Sequence, residues 1–172
     1  HAGESAVLST LGNLNNDIGM PLMLLRLRAT HRYAVIEMGM NHLGEIDYLT
    51  RIACPQVALI NNAGTAHIGE LGSREAIAQA KGEIFAGLKP HGTAILNADD
   101  AFAPYWRGLI KGFNRLEFGI EHAADVSGRI ESLSPSVRIR MRLGDAEVGV
   151  EIPSPGRHNA MNALAAAAVA QA

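Results

Sequence analysis

The sequence contains one cysteine, Cys54, among 172 residues, so it cannot form an internal disulfide. This cysteine usage is typical of a reducing compartment, and we expect a cytoplasmic protein. No basic segment followed by an apolar core opens the chain, so we expect no signal peptide. The longest alanine-rich apolar run, ALAAAAVAQA, is far shorter than the roughly 20 apolar residues that span a bilayer, so we expect no membrane insertion.

The sequence also lacks an excess of charge of either sign. Its net charge is −2, which gives no electrostatic attraction to nucleic acid or to an anionic membrane. The pattern G-x-x-x-x-G-K-[ST] does not occur, so the residues provide no phosphate loop. Apolar residues make up 48% and charged residues 19%, which is typical of a globular chain of about one domain.

Short apolar runs alternate with helical segments along the first two thirds of the chain. This order predicts an α/β fold with a mostly parallel sheet flanked by helices. The uninterrupted apolar character of YAVIEM and QVALINN predicts strands that are buried on both faces. Ser73 is predicted to cap the helix that follows it.

The hydrophobic period changes after about residue 123. Apolar and arginine residues alternate over VRIRMRL, the turn signal LGDAE follows, and alternation resumes over VGVEI. This predicts an antiparallel β extension with its arginines on a solvent-facing side. We therefore predict three parts, namely an α/β part over 1–122, antiparallel hairpins over 123–157 and a helix over 158–172.

Three reactive side chains lie at or just after predicted strand ends. Glu37 closes YAVIEM, His67 follows VALINN, and Lys81 lies on the next helix. Ligands of open α/β sheets bind beyond the carboxyl ends of the strands, so these side chains are candidates for one site. The alternatives are a solvated strand-end acid, an ordinary loop histidine and a lysine whose stem lies on the helix surface.

Other polar residues have structural and functional interpretations of similar weight. Asn13, Asn15 and Asn16 lie between glycines, which suits either a turn or close approach to a polar ligand. Asp99 and Asp100 follow the strand AILN, where they are expected to end the strand and cap the next helix.

Five motifs occur in a fixed order along nearly the whole chain. They are GNLNNDIGMPLMLLRL, AVIEMGMNHLGEI, ALINNAGTAHIGELGSREAIAQAKGEIFAGL, AILNADD and PGRHNAMNALAAAA. Together they resemble the central ATP-binding domain of the Mur ligases, an α/β domain of the phosphate-loop type. The asparagine-rich GNLNNDIG and GMNHLGEI favour the branch of that family that adds D-alanyl-D-alanine to UDP-N-acetylmuramoyl tripeptide.

The resemblance implies an ATP-dependent amide ligase of peptidoglycan precursor synthesis. ATP would phosphorylate the peptide carboxylate, and the amine of D-Ala-D-Ala would attack the acyl phosphate. Magnesium would neutralise phosphate charge. The partners it implies are these two substrates, without nucleic acid or membrane, and the full-length enzyme is expected to be a monomer.

The resemblance also assigns residues. Glu37, His67 and Lys81 match the catalytic, magnesium-binding positions, with Lys81 carbamylated by CO₂. A desolvated site favours the neutral amine that this modification requires, and the carbamate supplies oxygen atoms that magnesium prefers. The adenine-side positions are Asn159, Asn162 and His158. The positions matched to the muramoyl peptide are Asn13, Asn15, Asn16, Asn41 and His42.

The resemblance has gaps. The phosphate loop, the N-terminal UDP-binding domain and the C-terminal domain of such ligases have no counterpart in these residues, so we expect an internal fragment that is inactive alone and binds ATP weakly. Alternatives are a muropeptide or folylpolyglutamate type of ligase and a non-catalytic nucleotide-binding or interaction module. A hydrolase built on a carbamylated lysine needs more histidine ligands than this spacing supplies.

Overall fold

The computed structural model describes residues 6–64 and 68–172. The chain divides into two compact units, which are described separately. The first comprises residues 1–55 and 64–87, and the second comprises residues 56–63 and 88–172. The predicted division at residues 122 and 157 stays a prediction.

The first unit pairs two short parallel strands with several short helices. Strand β1 pairs with β2 from Val7–Tyr33 to Ser9–Val35. In chain order the elements are β1 (Val7–Ser9), α1 (Gly19–Leu24), β2 (Tyr33–Val35), α2 (Glu45–Ala53), α3 (Ile68–Leu71), α4 (Arg74–Gly82) and a 3₁₀ helix (Glu83–Gly87).

The predicted burial of YAVIEM is wrong. Only Tyr33–Val35 form a strand, and all three residues are exposed. Among the described residues β2 pairs with β1 alone, and the exposure of its three residues shows that it lacks the covering layers that an apolar run of this kind usually has. By contrast, the Ser73 cap is confirmed, because its Oγ accepts a 3.1 Å hydrogen bond from the Ala76 N–H at the start of α4.

The second unit contains a six-stranded sheet of order β3–β4–β5–β6–β7–β8. The first three pairings are parallel and the last two are antiparallel, which confirms the predicted fold class. The elements are β3 (Val57–Ile60), β4 (Thr93–Asn97), α5 (Ala103–Leu109), β5 (Asn114–Gly119), β6 (Val126–Ser132), β7 (Val137–Leu143), β8 (Ala146–Ile152) and α6 (Arg157–Gln171).

The core of the second unit lies between this sheet and α6. Every residue of β4 is buried, and Ile95, Phe118 and Leu164 are fully inaccessible. Gly128 allows the close approach, since a Cβ there would lie 2.6 Å from the Ile139 side chain and 3.1 Å from that of Leu164. The small side chains of ALAAAAVAQA thus let α6 pack closely on the sheet.

The β7–β8 hairpin follows the predicted alternation. Leu143 pairs with Ala146 across a two-residue turn, and Gly144 has a φ of +60° that suits glycine. Val137, Ile139 and Met141 are buried, while the three arginines between and after them are exposed. Within the described residues, no helix has the length and apolar character needed to cross a bilayer.

Candidate functional site

The ends of β1 and β2 place Glu37 at the carboxyl edge of the first unit. The strands are parallel, so Thr10 and Glu37 both follow strand ends on the same side. The Thr10 N–H donates to the Val35 carbonyl at 3.1 Å, and the Glu37 N–H donates to Thr10 Oγ1 at 2.8 Å. These two bonds fix the backbone of Glu37 and leave its side chain exposed.

Asn15 holds one oxygen of the Glu37 carboxylate. Its Nδ2 donates to Glu37 Oε1 at 2.7 Å, and its carbonyl accepts from the Gly39 N–H at 2.8 Å. A Cβ on Gly39 would lie 2.8 Å from Asn15 Cγ, so this approach requires glycine. Glu37 Oε2 accepts no hydrogen bond from the residues that the structure describes.

The other two asparagines of this loop make different hydrogen bonds. Asn16 Oδ1 accepts from the Gly19 N–H at 2.8 Å and so satisfies a free donor at the start of α1. Asn13 is exposed, and its carbonyl accepts from the Asn15 N–H at 2.8 Å. These bonds confirm the turn role of the loop, with Asn15 directed to Glu37, and the polar-ligand role stays a prediction.

Asn41 and His42 lie in the loop between Glu37 and α2. Glu45 Oε2 accepts from the backbone N–H groups of Asn41 at 2.6 Å and His42 at 3.2 Å, and Oε1 lies 2.9 Å from His42 Nδ1. The Asn41 N–H, followed by the His42 ring, lowers the pKa of Glu45 below its ordinary value. The His42 side chain is 75% exposed, so it is accessible to a ligand.

Lys81 lies in the last turn of α4 and is half-buried. The neighbouring Ala78, Ala80 and Gly82 are buried, so the small residues around the lysine face into the first unit. His67 lies outside the described residues. In residues 6–64 and 68–172 no three His, Cys, Asp or Glu side chains form a cluster that would hold a metal ion.

In the second unit, asparagines meet at the carboxyl ends of β3 and β4. Asn97 Nδ2 donates to the Asn61 carbonyl at 2.9 Å, and Asp100 Oδ2 accepts from the Ala63 N–H at 2.8 Å. Asn97 is 8% exposed, so its amide is a buried link between the two strand ends.

Asn61 is a further candidate site residue that the sequence reasoning missed. Its Nδ2 donates to Asn162 Oδ1 on α6 at 2.8 Å. Its own Oδ1 is buried and accepts no hydrogen bond from the described part of the chain. A buried acceptor without a partner costs roughly 1–3 kcal/mol, so this oxygen is a natural partner for a ligand N–H or for water. The paired asparagines directly after VALI were the only available signal.

Asn159 uses its amide hydrogens at the entrance to α6. Nδ2 donates to the Pro155 carbonyl at 2.8 Å and to Ser154 Oγ at 3.1 Å, so its Oδ1 is the atom left for a ligand. His158 is exposed, and its ring lies against Gly156, where a Cβ would be 2.6 Å from Cε1. Gly156 has a φ of +106°, which also requires glycine.

The helix-capping role expected of Asp99 is wrong, whereas Asp100 Oδ1 accepts from the N–H of Phe102, the N-cap residue of α5, at 2.9 Å. Asp99 instead accepts from the N–H groups of Ile120, Glu121 and His122 at 2.7–3.1 Å. Burial raises the pKa of Asp99, but these hydrogen bonds outweigh it and the net pKa is lowered. The sequence could not show this loop contact, which spans more than 20 residues.

The chain is similar to known proteins over nearly its whole length. The sequence profile of the Mur ligase middle domain matches residues 2–170. The UDP-N-acetylmuramoyl-tripeptide–D-alanyl-D-alanine ligase of Haemophilus influenzae is 42% identical over 98% of this chain, which spans 36% of that relative.

Solved structures give the same result. The crystal structure of MurF from Acinetobacter baumannii superposes with a TM-score of 0.93 at 44% identity, covering 98% of this chain and 37% of that one. MurF from Thermotoga maritima in complex with ADP superposes with a TM-score of 0.83 at 28% identity, covering 98% and 39%. The chain thus spans little more than a third of these relatives, and it belongs to the Mur ligase family as a middle domain.

Proposed function

We propose that the chain is the ATP-binding middle part of a ligase that joins D-alanyl-D-alanine to UDP-N-acetylmuramoyl tripeptide. The relatives at 42–44% identity bear the name of this enzyme or of MurF. The observation that most supports a reaction site is the exposed Glu37 carboxylate, held by Asn15 at 2.7 Å at the carboxyl edge of β2. Other ligases of the superfamily remain the alternative.

The first unit would hold the reacting end of ATP. Glu37 offers Oε2, a hard oxygen donor of the kind that magnesium prefers, while Asn15 fixes Oε1. Glu37 Oε2 is therefore available to a magnesium ion, while the other ligands we propose are outside the described residues or need modification. We assign Glu37 to this ion, and His67 to a second magnesium ion that a CO₂-derived carbamate on Lys81 would help to hold with its oxygen atoms. When bound, magnesium would neutralise charge on the transferring phosphoryl group.

The loop residues of the first unit would bind the muramoyl peptide. Asn41 and His42 are placed by Glu45, which takes their backbone N–H groups and leaves the side-chain amide and the imidazole face available. Asn13 and Asn16 lie on the loop that also supplies Asn15. Their amides are suited to the carbonyl and N–H groups of a peptide.

The second unit would recognise the adenine. Asn159 Oδ1 is the free acceptor, and Asn162 has donors left after accepting from Asn61. A purine amino group and ring nitrogen need one acceptor and one donor, which these two amides supply. His158, exposed at the start of α6, would contact the base with its ring. The ADP-bound relative supports nucleotide binding by this domain.

A turnover assay tests the proposal. The full-length, monomeric protein that contains this chain should release phosphate from ATP only when UDP-N-acetylmuramoyl tripeptide and D-Ala-D-Ala are both present. The 172-residue chain alone should release none. Phosphate release that follows glutamate or another single amino acid in place of D-Ala-D-Ala would support another ligase of the superfamily, and no release with any amine would support the binding module.

A further inference from the structure

Glu83 connects two elements of the first unit that lie far apart in sequence. Its side chain caps the start of α2, where both carboxylate oxygens accept from the Gly44 N–H, at 2.8 Å and 3.0 Å. Oε2 also accepts from the Asp47 N–H at 3.2 Å. The residue at the head of α2, Gly44, has no side chain and a φ of +90°, so this helix has no cap from its own sequence.

A carboxylate at this place is favoured for two reasons. The first N–H groups of a helix have no partner within it, and the helix dipole gives its N-terminus a partial positive charge. The Glu83 carboxylate accepts from such N–H groups and places a negative charge at this N-terminus, although Glu83 lies 36–39 positions further along the chain.

The backbone of the same residue ends α4 at the turn that contains Lys81. The Glu83 N–H donates to the Ala80 carbonyl, and its φ of −58° continues the helical path into the 3₁₀ helix. Glu83 is thus two residues from Lys81 along the chain, within one turn.

Two further contacts hold the 3₁₀ helix that begins at Glu83 close to α2. Thr50 Oγ1 donates to the Ile84 carbonyl at 2.7 Å. A Cβ on Gly87 would overlap the backbone of Thr50, so glycine is required for the approach. The end of α4 and the body of α2 therefore have one packed arrangement, and the Glu83 carboxylate sets it at the start of α2.

The start of α2 is also the end of the loop that begins at Glu37. Asn41 and His42 lie within that loop and are held by Glu45 of α2. We propose that Glu83 is a positioning residue that fixes the turn of Lys81 relative to the loop of residues 38–44. This inference rests on the proposed function, because Glu83 can influence the reaction in this way only if Lys81 and the loop take part in the same reaction.

The test uses the full-length enzyme with Glu83→Ala, Glu83→Gln and the control Glu75→Gln. Glu75 lies on the exposed side of the first turn of α4, so the control removes a charge from the same helix without touching α2. Amide hydrogen exchange at Gly44 and Asp47 measures the connection itself. Steady-state kinetics, taken well below the melting midpoint, measures its effect on the reaction.

We expect Glu83→Ala to speed exchange at both amides and to lower kcat about 10- to 100-fold, as small displacements of reacting groups do. The KM for the UDP-muramoyl tripeptide should rise with it. Glu83→Gln keeps one acceptor oxygen and should fall between the wild type and Glu83→Ala. If Glu83→Ala does not fold, the glutamine variant serves for both measurements. Glu75→Gln should match the wild type in every respect.

A merely structural role would lower the melting temperature and leave kcat and KM of the folded enzyme unchanged, and that result would overturn the inference. Unchanged exchange at Gly44 and Asp47 would overturn it as well. A wild-type enzyme without D-Ala-D-Ala-dependent phosphate release would overturn the proposed function together with the inference. An active wild type with fully active Glu83 variants would overturn the inference alone.

Discussion

The two units of the chain differ most in the burial of their strands, although both contain buried apolar residues and side chains that bind backbone groups. In the second unit every residue of β4 is buried, and Ile95, Phe118 and Leu164 form part of a continuous apolar core against α6. In the first unit all three residues of β2 are exposed. Its loops are held by side chains that accept from backbone N–H groups, namely Thr10, Asn16, Glu45 and Glu83, and by the bond from the Asn15 amide to the Glu37 carboxylate.

Because of this difference, we expect the stability of the fold and the rate of the reaction to depend on different units. Burial of apolar surface is non-directional and stabilises a fold without placing any one atom finely. Hydrogen bonds to backbone N–H groups have a fixed geometry, and the carboxylates proposed for the reaction lie among them. The second unit should therefore set the stability of the chain, and the first unit should set the rate of the reaction.

The largest expected effect is a loss of turnover caused by a substitution in the first unit. Lys81→Ala in the full-length enzyme should lower kcat about 10³-fold or more, since the loss of several kcal/mol of charge stabilisation has that consequence. Added short carboxylates should restore part of the activity, because they replace the missing carbamate. Lys111→Ala, an exposed lysine, is the matched control. Full activity of Lys81→Ala would remove this lysine from the reaction and weaken the contrast between the units.

The next largest expected effect is a loss of stability caused by a substitution in the second unit. Phe118→Ala should reduce the free energy of unfolding by about 3–5 kcal/mol, since it leaves a cavity in the core beside β6 and α6. Val148→Ala, on the exposed part of β8, should cost about 0.5 kcal/mol or less. Urea unfolding measures both. The comparison would break if Phe118→Ala left the unfolding midpoint unchanged, or lowered the kcat of the folded enzyme as strongly as Lys81→Ala.

A smaller effect depends on pH. The Arg107 guanidinium bonds both oxygens of Glu117 at 2.8 Å, and this pairing lowers the pKa of Glu117 below its ordinary 4.5 although burial opposes the shift. The folded state then binds fewer protons than the unfolded state. The stabilisation is fully present above pH 4.5 and is lost as the pH falls through the lower folded-state value.

Glu117→Gln should therefore destabilise the chain at pH 7 by about 1–3 kcal/mol, as the loss of a hydrogen-bonded charge does. Its unfolding free energy should also depend less on pH below 4.5 than that of the wild type. Urea unfolding at pH 7 and at lower pH measures both quantities. An equally steep acid dependence in the variant would show that another group is responsible.

The smallest expected effect comes from the arginine face of β7. Arg140 Nη2 lies 2.9 Å from Glu131 Oε1, with both side chains more than a third exposed. An exposed pair of this kind contributes about 0.5 kcal/mol or less. Arg140→Ser should thus barely move the unfolding midpoint in urea. A loss comparable to that of Phe118→Ala would mean that this face contributes to stability as the core does.

Local patterns predicted most of the fold. The alternation of VRIRMRL predicted the burial of β7, and the Ser73 cap also followed from residues within a few positions of each other. The burial of β2 was mispredicted, because an apolar run indicates what a strand prefers and not whether anything covers it.

The candidate site was predicted in part. Glu37 was singled out from its place after a strand, and its assignment stays a prediction, as do those of His67 and Lys81. The partners of Asn15, Asn61 and Glu83 lie 22, 101 and 39 positions away, at distances over which no periodic pattern operates. Only the tertiary structure brings such residues together.

The most direct test of the account is one variant measured in two ways. Glu37→Gln keeps the size of the side chain and can still meet Asn15, but it removes the negative charge at an exposed position. The account predicts that kcat of the full-length enzyme falls about 10³-fold, while its melting temperature stays within about 2 °C of the wild type. Unchanged turnover, or a loss of turnover that only follows a large drop in melting temperature, would contradict it.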